Sequence, residues 1–152
     1  GKTIDSLNYE VSFIGGFPEN KQIYHPRVSY KGLITEIDVL KREFVMADIL
    51  VCPSYAEGMP TVILEAMASG CAIIATDVGA INTMVDYQNG WLIEGDIKIG
   101  LEQGILEALQ LDWEELQKKK LISIDRVADK YTWDHVIKQT INTIRNIKIK
   151  TI

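Results

Sequence analysis

The sequence has few cysteines, no basic run longer than the three lysines at 118–120, and no long apolar run. Two cysteines in 152 residues are too few for the disulfide framework of a small secreted domain. A formal net charge of −5 at pH 7, with no basic run beyond these three lysines, argues against a nucleic-acid partner. No apolar stretch reaches the roughly 18 residues that predict a membrane span. The sequence therefore predicts a cytoplasmic globular protein.

The two cysteines, Cys52 and Cys71, both lie in apolar runs. Such positions are typical of small buried side chains in a reduced protein, and a disulfide between neighbouring strands is the less favoured alternative. The chain begins with Gly1 rather than Met, so we expect it to be part of a longer protein.

Short apolar segments alternate with segments of helical periodicity along the chain. The apolar runs predict strands at residues 9–14, 28–31, 48–52, 71–75 and 91–93. Helical spacing predicts helices at about residues 37–45, 60–69, 97–110, 112–130 and 132–147, with one or two turns at 81–87. The alternation predicts an α/β fold: a Rossmann-like, doubly wound parallel sheet in a single domain over residues 1–152.

Several residues are predicted to begin these helices. Thr35 is assigned as the N-cap of the first helix, with Asp38 at the third helical position. Pro60 suits the first turn of the second helix because its missing N–H is not needed there. Asp112 and Thr132 are the predicted N-caps of the last two helices. The first helix is expected to place its apolar residues at helical spacing: Ile37, Leu40, Phe44 and Val45.

Residues 51–75, VCPSYAEGMPTVILEAMASGCAIIA, carry the most informative pattern of the chain. They predict a strand, a loop with Glu57, a short helix with Glu65, and a second strand. In doubly wound sheets, ligands bind beyond the carboxyl ends of the strands, where Glu57 is expected. Unpaired N–H groups at the helix start favour a phosphate, and Gly58 permits close approach to the main chain. Because carboxylates accept hydrogen bonds from hydroxyl groups, the combination favours a nucleotide-sugar.

Each feature has a structural alternative when it is taken alone. Glu57 could be an ordinary surface carboxylate, and Gly58 to Pro60 could be a simple turn. Glu65 is the one polar side chain among residues 62–68, so we expect it either to face a cleft or to pair with a Lys or Arg at the edge of the core. The occurrence of all these features in one segment favours a nucleotide-sugar-binding site over the structural alternatives.

The segment PSYAEGMPTVILEAMASGCAIIATDVGA resembles the signature of the retaining GT-B glycosyltransferases, the "group 1" glycosyl transferase family. The family pattern contains two glutamates separated by seven residues, and Glu57 and Glu65 match that pair. Shorter matches at residues 28–32, 46–49, 89–92 and 131–133 extend the resemblance over about residues 9–145. The resemblance implies the C-terminal, donor-binding half of a GT-B fold.

The resemblance also implies a role for each matching residue. Glu57 would hold hydroxyl groups of the donor sugar as the catalytic residue, and Glu65 would hold the ribose. Main chain at Gly32 and Leu33 would contact the base. The backbone groups that would contact the sugar and phosphate belong to Gly58, Met59 and Thr61. Such enzymes transfer a sugar from a nucleotide-diphosphate sugar to an acceptor hydroxyl, with retained anomeric configuration, in glycan or polysaccharide biosynthesis. No metal and no cofactor besides this donor are implied.

The sequence departs from the family pattern in two places. A strand and loop with an Arg and a Lys that clamp the diphosphate normally come first in this domain, and residues 1–152 contain no such unit. The Gly-Gly-x-x-Glu of the family is replaced at residues 79–83 by GAINT, which has no acidic residue.

These departures imply a fragment whose partner is an N-terminal acceptor domain of the same protein. We expect the fragment alone to be inactive, and we expect membrane association only through the missing part. A non-catalytic nucleotide-sugar-binding module is the alternative, and a GT-B-like epimerase is a weaker one.

Overall fold

The computed structural model describes residues 8–147 and contains five strands and six α-helices in this range. The strands are β1 (Val11–Ile14), β2 (Val28–Gly32), β3 (Ile49–Cys52), β4 (Ala72–Thr76) and β5 (Gly90–Ile93). The helices are α1 (Ile37–Met46), α2 (Thr61–Ala68), α3 (Ile81–Met84), α4 (Ile97–Gln110), α5 (Trp113–Lys130) and α6 (Trp133–Asn146). The order of elements agrees with the sequence prediction, with boundaries that differ by at most three residues.

All strand pairs are parallel, which confirms the predicted fold class. The strands form two hydrogen-bonded sheets rather than one: β1 pairs with β2, and β3, β4 and β5 form a sheet with β4 in the centre. Within residues 8–147, no strand bridges the free edges of β1 and β3. The single continuous sheet that we predicted is therefore divided in this part of the chain.

The core is organised around β4, whose five residues are all buried. Because neighbouring side chains of a strand point to opposite faces, Ile73 and Ala75 pack with α2 and α3, whereas Ile74 packs beneath α4. Helix α5 also packs on the side of α2. Helices on both faces make the three-stranded sheet doubly wound, as expected of an uninterrupted apolar strand.

The predicted N-caps are confirmed at two helices and wrong at one. Asp112 Oδ1 accepts a hydrogen bond from the N–H of Glu115 at 2.8 Å, and Thr132 Oγ1 accepts one from the N–H of His135 at 3.4 Å. In α1 the N-cap is Glu36 instead of Thr35, because Glu36 has extended backbone angles and its carbonyl accepts the first helical hydrogen bonds.

Three smaller expectations also need correction. Asp38 lies at the second helical position of α1, and Pro60 is the N-cap of α2 instead of part of its first turn. The nearly all-apolar sequence of residues 48–52 predicts a strand covered on both faces, but β3 leaves Val51 42% exposed. Asp38 and Pro60 each lie one helical position from where they were predicted, and none of the three differences changes the order of elements.

Helix α1 buries less of its apolar surface than its periodicity predicts. Phe44 is buried and Leu40 is half-buried, whereas Ile37 is 82% exposed and Val45 is also exposed. Helix α1 packs against α2 along its Leu40–Phe44 side, away from the exposed Ile37 and Val45.

Helix α6 has an apolar stripe that the described residues leave exposed. The stripe consists of Val136, Ile137, Ile141 and Ile144, and no residue of α6 is buried. Between residues 8 and 147, no helix combines the length and apolar character that crossing a bilayer would require.

Both cysteines are free thiols, as the sequence predicts. Cys71 is buried and Cys52 is half-buried. Burial raises the pKa of Cys71 to about 11, so this thiol is protonated at neutral pH.

Candidate functional site

The candidate site lies where the chain leaves β3 and β4. These strands are parallel and in register, with Cys52 opposite Ala75, so the loops that follow them emerge side by side. The loop after β3, residues 53–60, contains Glu57 and leads into α2. The turn after β4, residues 77–80, lies against it. The position agrees with the general location of ligand sites in doubly wound sheets.

The carboxylate of Glu57 is held by its own loop. Ser54 Oγ donates a hydrogen bond to Glu57 Oε1 at 2.7 Å. Ser54 is held in turn by β4, since Thr76 Oγ1 donates to the Ser54 carbonyl at 2.6 Å. Thr76 is 2% exposed. A half-buried Glu57 is thus connected to the buried end of the central strand through two hydrogen bonds.

The turn after β4 holds the main chain of the Glu57 loop. Gly79 has a φ of +58°, and a Cβ at this position would lie 2.1 Å from the carbonyl oxygen of Glu57 and 2.5 Å from that of Gly58. The N–H of Ala80 donates to the Gly58 carbonyl at 2.8 Å. Position 79 therefore requires glycine for two reasons: its backbone conformation and the close approach of two carbonyl oxygens.

The start of α2 presents unpaired backbone donors. Among residues 8–147, no acceptor is found for the N–H groups of Gly58, Met59 and Thr61. Pro60 has no N–H, and Gly58 and Met59 are exposed. Because the helix dipole adds partial positive charge at this end, the arrangement favours an anionic ligand.

Glu65 is exposed, although its neighbours in the sequence are apolar. Helical periodicity turns Ile63, Ala66 and Met67 inward, and it places Thr61 and Glu65, four positions apart, on the exposed side of α2. No ion pair of Glu65 occurs within the described chain. The carboxylate is therefore available to a ligand on the same side of α2 as Thr61.

Gly32 and Leu33 lie at the end of β2, which belongs to the other sheet. Gly32 has a φ of +68°, and its carbonyl accepts a hydrogen bond from the N–H of Gly15 at 2.8 Å. Leu33 is 78% exposed. In the described part of the chain, no hydrogen bond joins either residue to the Glu57 loop. The residues predicted to contact the base therefore follow a strand of one sheet, and the Glu57 loop follows a strand of the other.

A cavity of about 320 Å³ lies beside this site, at the carboxyl ends of β4 and β5. Its walls include Thr76, Asp77 and Glu94. Neither Glu57 nor Glu65 lines it. The site predicted from the sequence therefore lies next to this cavity and not inside it.

Sequence reasoning missed Ser54, Thr76 and Gly79 as parts of this site. Ser54 lies three residues before Glu57 in the same loop, so its proximity could have been recognised. Thr76 and Gly79 lie about twenty residues away, and they reach the loop only because β3 and β4 pair in parallel. The sequence predicted a parallel sheet but not which strands pair, so the adjacency of the two loops comes from the structure alone.

Comparison with known proteins identifies the family. Residues 2–111 match the family profile described as "Glycosyl transferases group 1". The chain belongs to this family. It is 29% identical over 109 residues to the uncharacterized glycosyltransferase MJ1607 of Methanocaldococcus jannaschii, covering 71% of this chain and 28% of that protein. This group 1 glycosyl transferase chain thus spans less than a third of that relative.

Solved structures show the same fold. Sucrose-phosphate synthase from Thermosynechococcus elongatus superposes with a TM-score of 0.72 at 24% identity, covering 90% of this chain and 38% of that one. HepE of Anabaena, determined in complex with UDP-glucose, superposes with a TM-score of 0.70 at 18% identity, covering 91% and 41%. The group 1 chain therefore has the Rossmann-like architecture of GT-B glycosyltransferase domains.

Proposed function

We propose that this chain is the donor-binding, C-terminal half of a retaining glycosyltransferase. The complete protein would transfer a sugar from a nucleotide-diphosphate sugar to an acceptor hydroxyl in the synthesis of a glycan or polysaccharide. The arrangement that supports this most directly is the Glu57 carboxylate, held by Ser54, beside unpaired N–H groups at the start of α2. The occurrence of UDP-glucose in the structurally similar HepE complex also supports it.

In this proposal the donor extends across the Glu57 loop. Its diphosphate lies at the α2 N-terminus, where the N–H groups of Gly58, Met59 and Thr61 can donate to it and to the sugar. Glu57 accepts hydrogen bonds from sugar hydroxyl groups and acts as the catalytic residue. Glu65 accepts them from the ribose, since it shares the exposed side of α2 with Thr61.

The base would contact the main chain at Gly32 and Leu33 of the other sheet. For that contact to form together with those at Glu57, one ligand must reach both sheets. We propose that no cofactor besides the donor and no metal ion is needed, so donor binding is expected to persist in EDTA.

Turnover requires more than this chain supplies. Stabilising a leaving diphosphate is an electrostatic task, and the unpaired N–H groups of α2 would provide only part of it. We propose that the acceptor site belongs to an N-terminal domain of the same cytoplasmic protein, and that the remaining positive charge comes from an Arg and a Lys outside this chain, on a strand and loop of the donor-binding half. The fragment alone is accordingly expected to transfer little or no sugar. Robust transfer by the purified 152-residue chain would contradict this division of labour.

Isothermal titration of the purified chain tests the proposal directly. The titrants are UDP, GDP and ADP, together with their glucose or mannose conjugates, each with and without EDTA. The expected result is saturable binding of one nucleotide series, in which the conjugate binds more tightly than the matching diphosphate. Absence of binding for every titrant would overturn the proposal. Equal affinity for conjugate and diphosphate would refute the role of Glu57 in holding the sugar.

The retaining mechanism is tested on the full-length protein. Proton NMR of the first product, recorded before the anomers equilibrate, distinguishes the two stereochemical outcomes. Retention is expected, and an inverted product would exclude the proposed mechanism.

A further inference from the structure

The turn after β4 contacts the Glu57 loop through two backbone carbonyls. The Glu57 carbonyl lies against Gly79, so closely that a Cβ there would be 2.1 Å from the oxygen, and the Gly58 carbonyl accepts the hydrogen bond of the Ala80 N–H. Both carbonyl oxygens therefore point towards this turn.

The planarity of the peptide group extends this constraint to the donors. In a trans peptide unit the C=O and the following N–H point in opposite directions. No cis peptide bond occurs in the described chain. Because the carbonyls of Glu57 and Gly58 point towards residues 79 and 80, the N–H groups of Gly58 and Met59 point away from the turn. These two N–H groups have no acceptor within the described residues.

The Glu57 side chain is held from the same strand end. Thr76 is the last residue of β4, and its buried hydroxyl fixes the Ser54 carbonyl at 2.6 Å. Ser54 Oγ then donates to Glu57 Oε1 at 2.7 Å. Two separate connections from residues 76–80 thus reach the loop, one to its carboxylate and one to its peptide groups.

We infer that residues 76–80 are the positioning element of the donor site. Gly79 and Ala80 set the direction of the backbone donors that meet the diphosphate, and Thr76, through Ser54, sets the Glu57 carboxylate that meets the sugar. None of these residues needs to touch the ligand. The inference rests on the proposed function and adds to it the residues that make the loop a preformed site.

The two connections predict different binding defects. Thr76→Val removes the hydroxyl at nearly constant volume, and Ser54→Ala removes the partner of Glu57. Each variant should lower the affinity for UDP-glucose by about tenfold and leave the affinity for UDP within about twofold. Thr76→Ser keeps the hydroxyl and is the matched control, with a UDP-glucose to UDP ratio close to that of the wild type.

Gly79→Ala should weaken both ligands. Its Cβ would displace the peptide groups of Glu57 and Gly58, so the affinities for UDP and UDP-glucose should both fall by at least about tenfold. Gly95→Ala is the matched control, because Gly95 has a φ of +73° and open space around its Cβ. It imposes comparable backbone strain in the loop after β5, and both affinities should stay near the wild-type values.

The titrations separate this inference from the proposed function. If the wild-type chain binds no nucleotide or nucleotide-sugar, both fail. The second outcome is that the wild type binds, that folded Gly79→Ala has wild-type affinities for UDP and UDP-glucose, and that Thr76→Val has the same affinities as Thr76→Ser. In that case the positioning role fails and the proposed function stands. An equal loss in Gly95→Ala and Gly79→Ala would also overturn the inference, because it would indicate general strain. Circular dichroism establishes folding, and the Thr76 pair decides the question if Gly79→Ala does not fold.

Discussion

The guanidinium of Arg126 on α5 holds the carboxylate of Asp86, with Nη2 3.0 Å from both carboxylate oxygens. Arg126 Nη1 also donates to the Met84 carbonyl and to Asn89 Oδ1. The segment between α3 and β5 is thereby attached to α5. Because Asn89 is fully buried and Arg126 is mostly buried, this network closes one end of the core.

This contact predicts an acid-sensitive contribution to stability. Burial alone would raise the pKa of Asp86, but the hydrogen bonds and charge of Arg126, with backbone N–H groups of Gln88 and Asn89, hold it below its usual value. A lowered carboxyl pKa stabilises the fold above the unfolded pKa, near 4, and this stabilisation is lost as the pH falls through the folded pKa.

Asp86→Asn should therefore be less stable than the wild type at pH 7, with a difference that shrinks as the pH approaches 3. Urea unfolding across this pH range measures it. Glu114→Gln is the control, because the Glu114–Lys118 pair is exposed and should contribute little at any pH. A pH-independent difference for Asp86→Asn would contradict the assignment.

The two glutamates should differ in which ligands they affect. Glu65→Ala is expected to weaken UDP and UDP-glucose alike, because the ribose occurs in both. Glu57→Ala should weaken UDP-glucose selectively, by about tenfold or more, because the sugar hydroxyl groups lose a charged acceptor. Titration calorimetry gives both affinities. If neither substitution alters any affinity, the site is assigned wrongly.

Gly90 should not tolerate alanine. It begins β5, and a Cβ there would lie 2.1 Å from the carbonyl oxygen of Ile73 on the neighbouring strand. This oxygen belongs to the backbone of a paired strand, so it cannot move aside as the end of a flexible side chain can. Gly90→Ala should therefore lower the free energy of unfolding by about 3 kcal/mol or more. Gly16→Ala, with no atom within 4 Å of its Cβ, should change it by less than about 1 kcal/mol. Chemical denaturation measures both variants, and equal free energies of unfolding for Gly90→Ala and Gly16→Ala would refute the strand contact.

The helix starts offer a matched comparison of caps. Asp112 Oδ1 accepts the N–H of Glu115 at 2.8 Å, whereas the Glu36 side chain makes no capping hydrogen bond. Asp112→Ala should therefore cost about 1 kcal/mol of stability, and Glu36→Ala less than about 0.5 kcal/mol. Thermal unfolding of the two variants checks this order, and a larger loss at Glu36 would contradict the cap assignment.

Much of the fold was predictable because its signals are local. The apolar run at residues 71–75 indicated the strand β4, and the caps at Asp112 and Thr132 were identified from residue type and spacing. The cap at Thr35 was wrong by one residue, because several polar residues there compete for the position. The exposure of Ile37 shows the limit of periodicity, which indicates that a face is apolar but not what covers it.

The sequence by itself determined the alternation of strands and helices, the family signature and the two glutamates, since each is a matter of residue type and short-range spacing. Only the tertiary structure decided that Glu65 is exposed, that the strands form two sheets, and that Thr76 and Gly79 meet the Glu57 loop. The reason is physical. Spacing along the chain sets which side of a helix or strand a residue occupies, whereas the pairing and register of strands decide which distant loops come together.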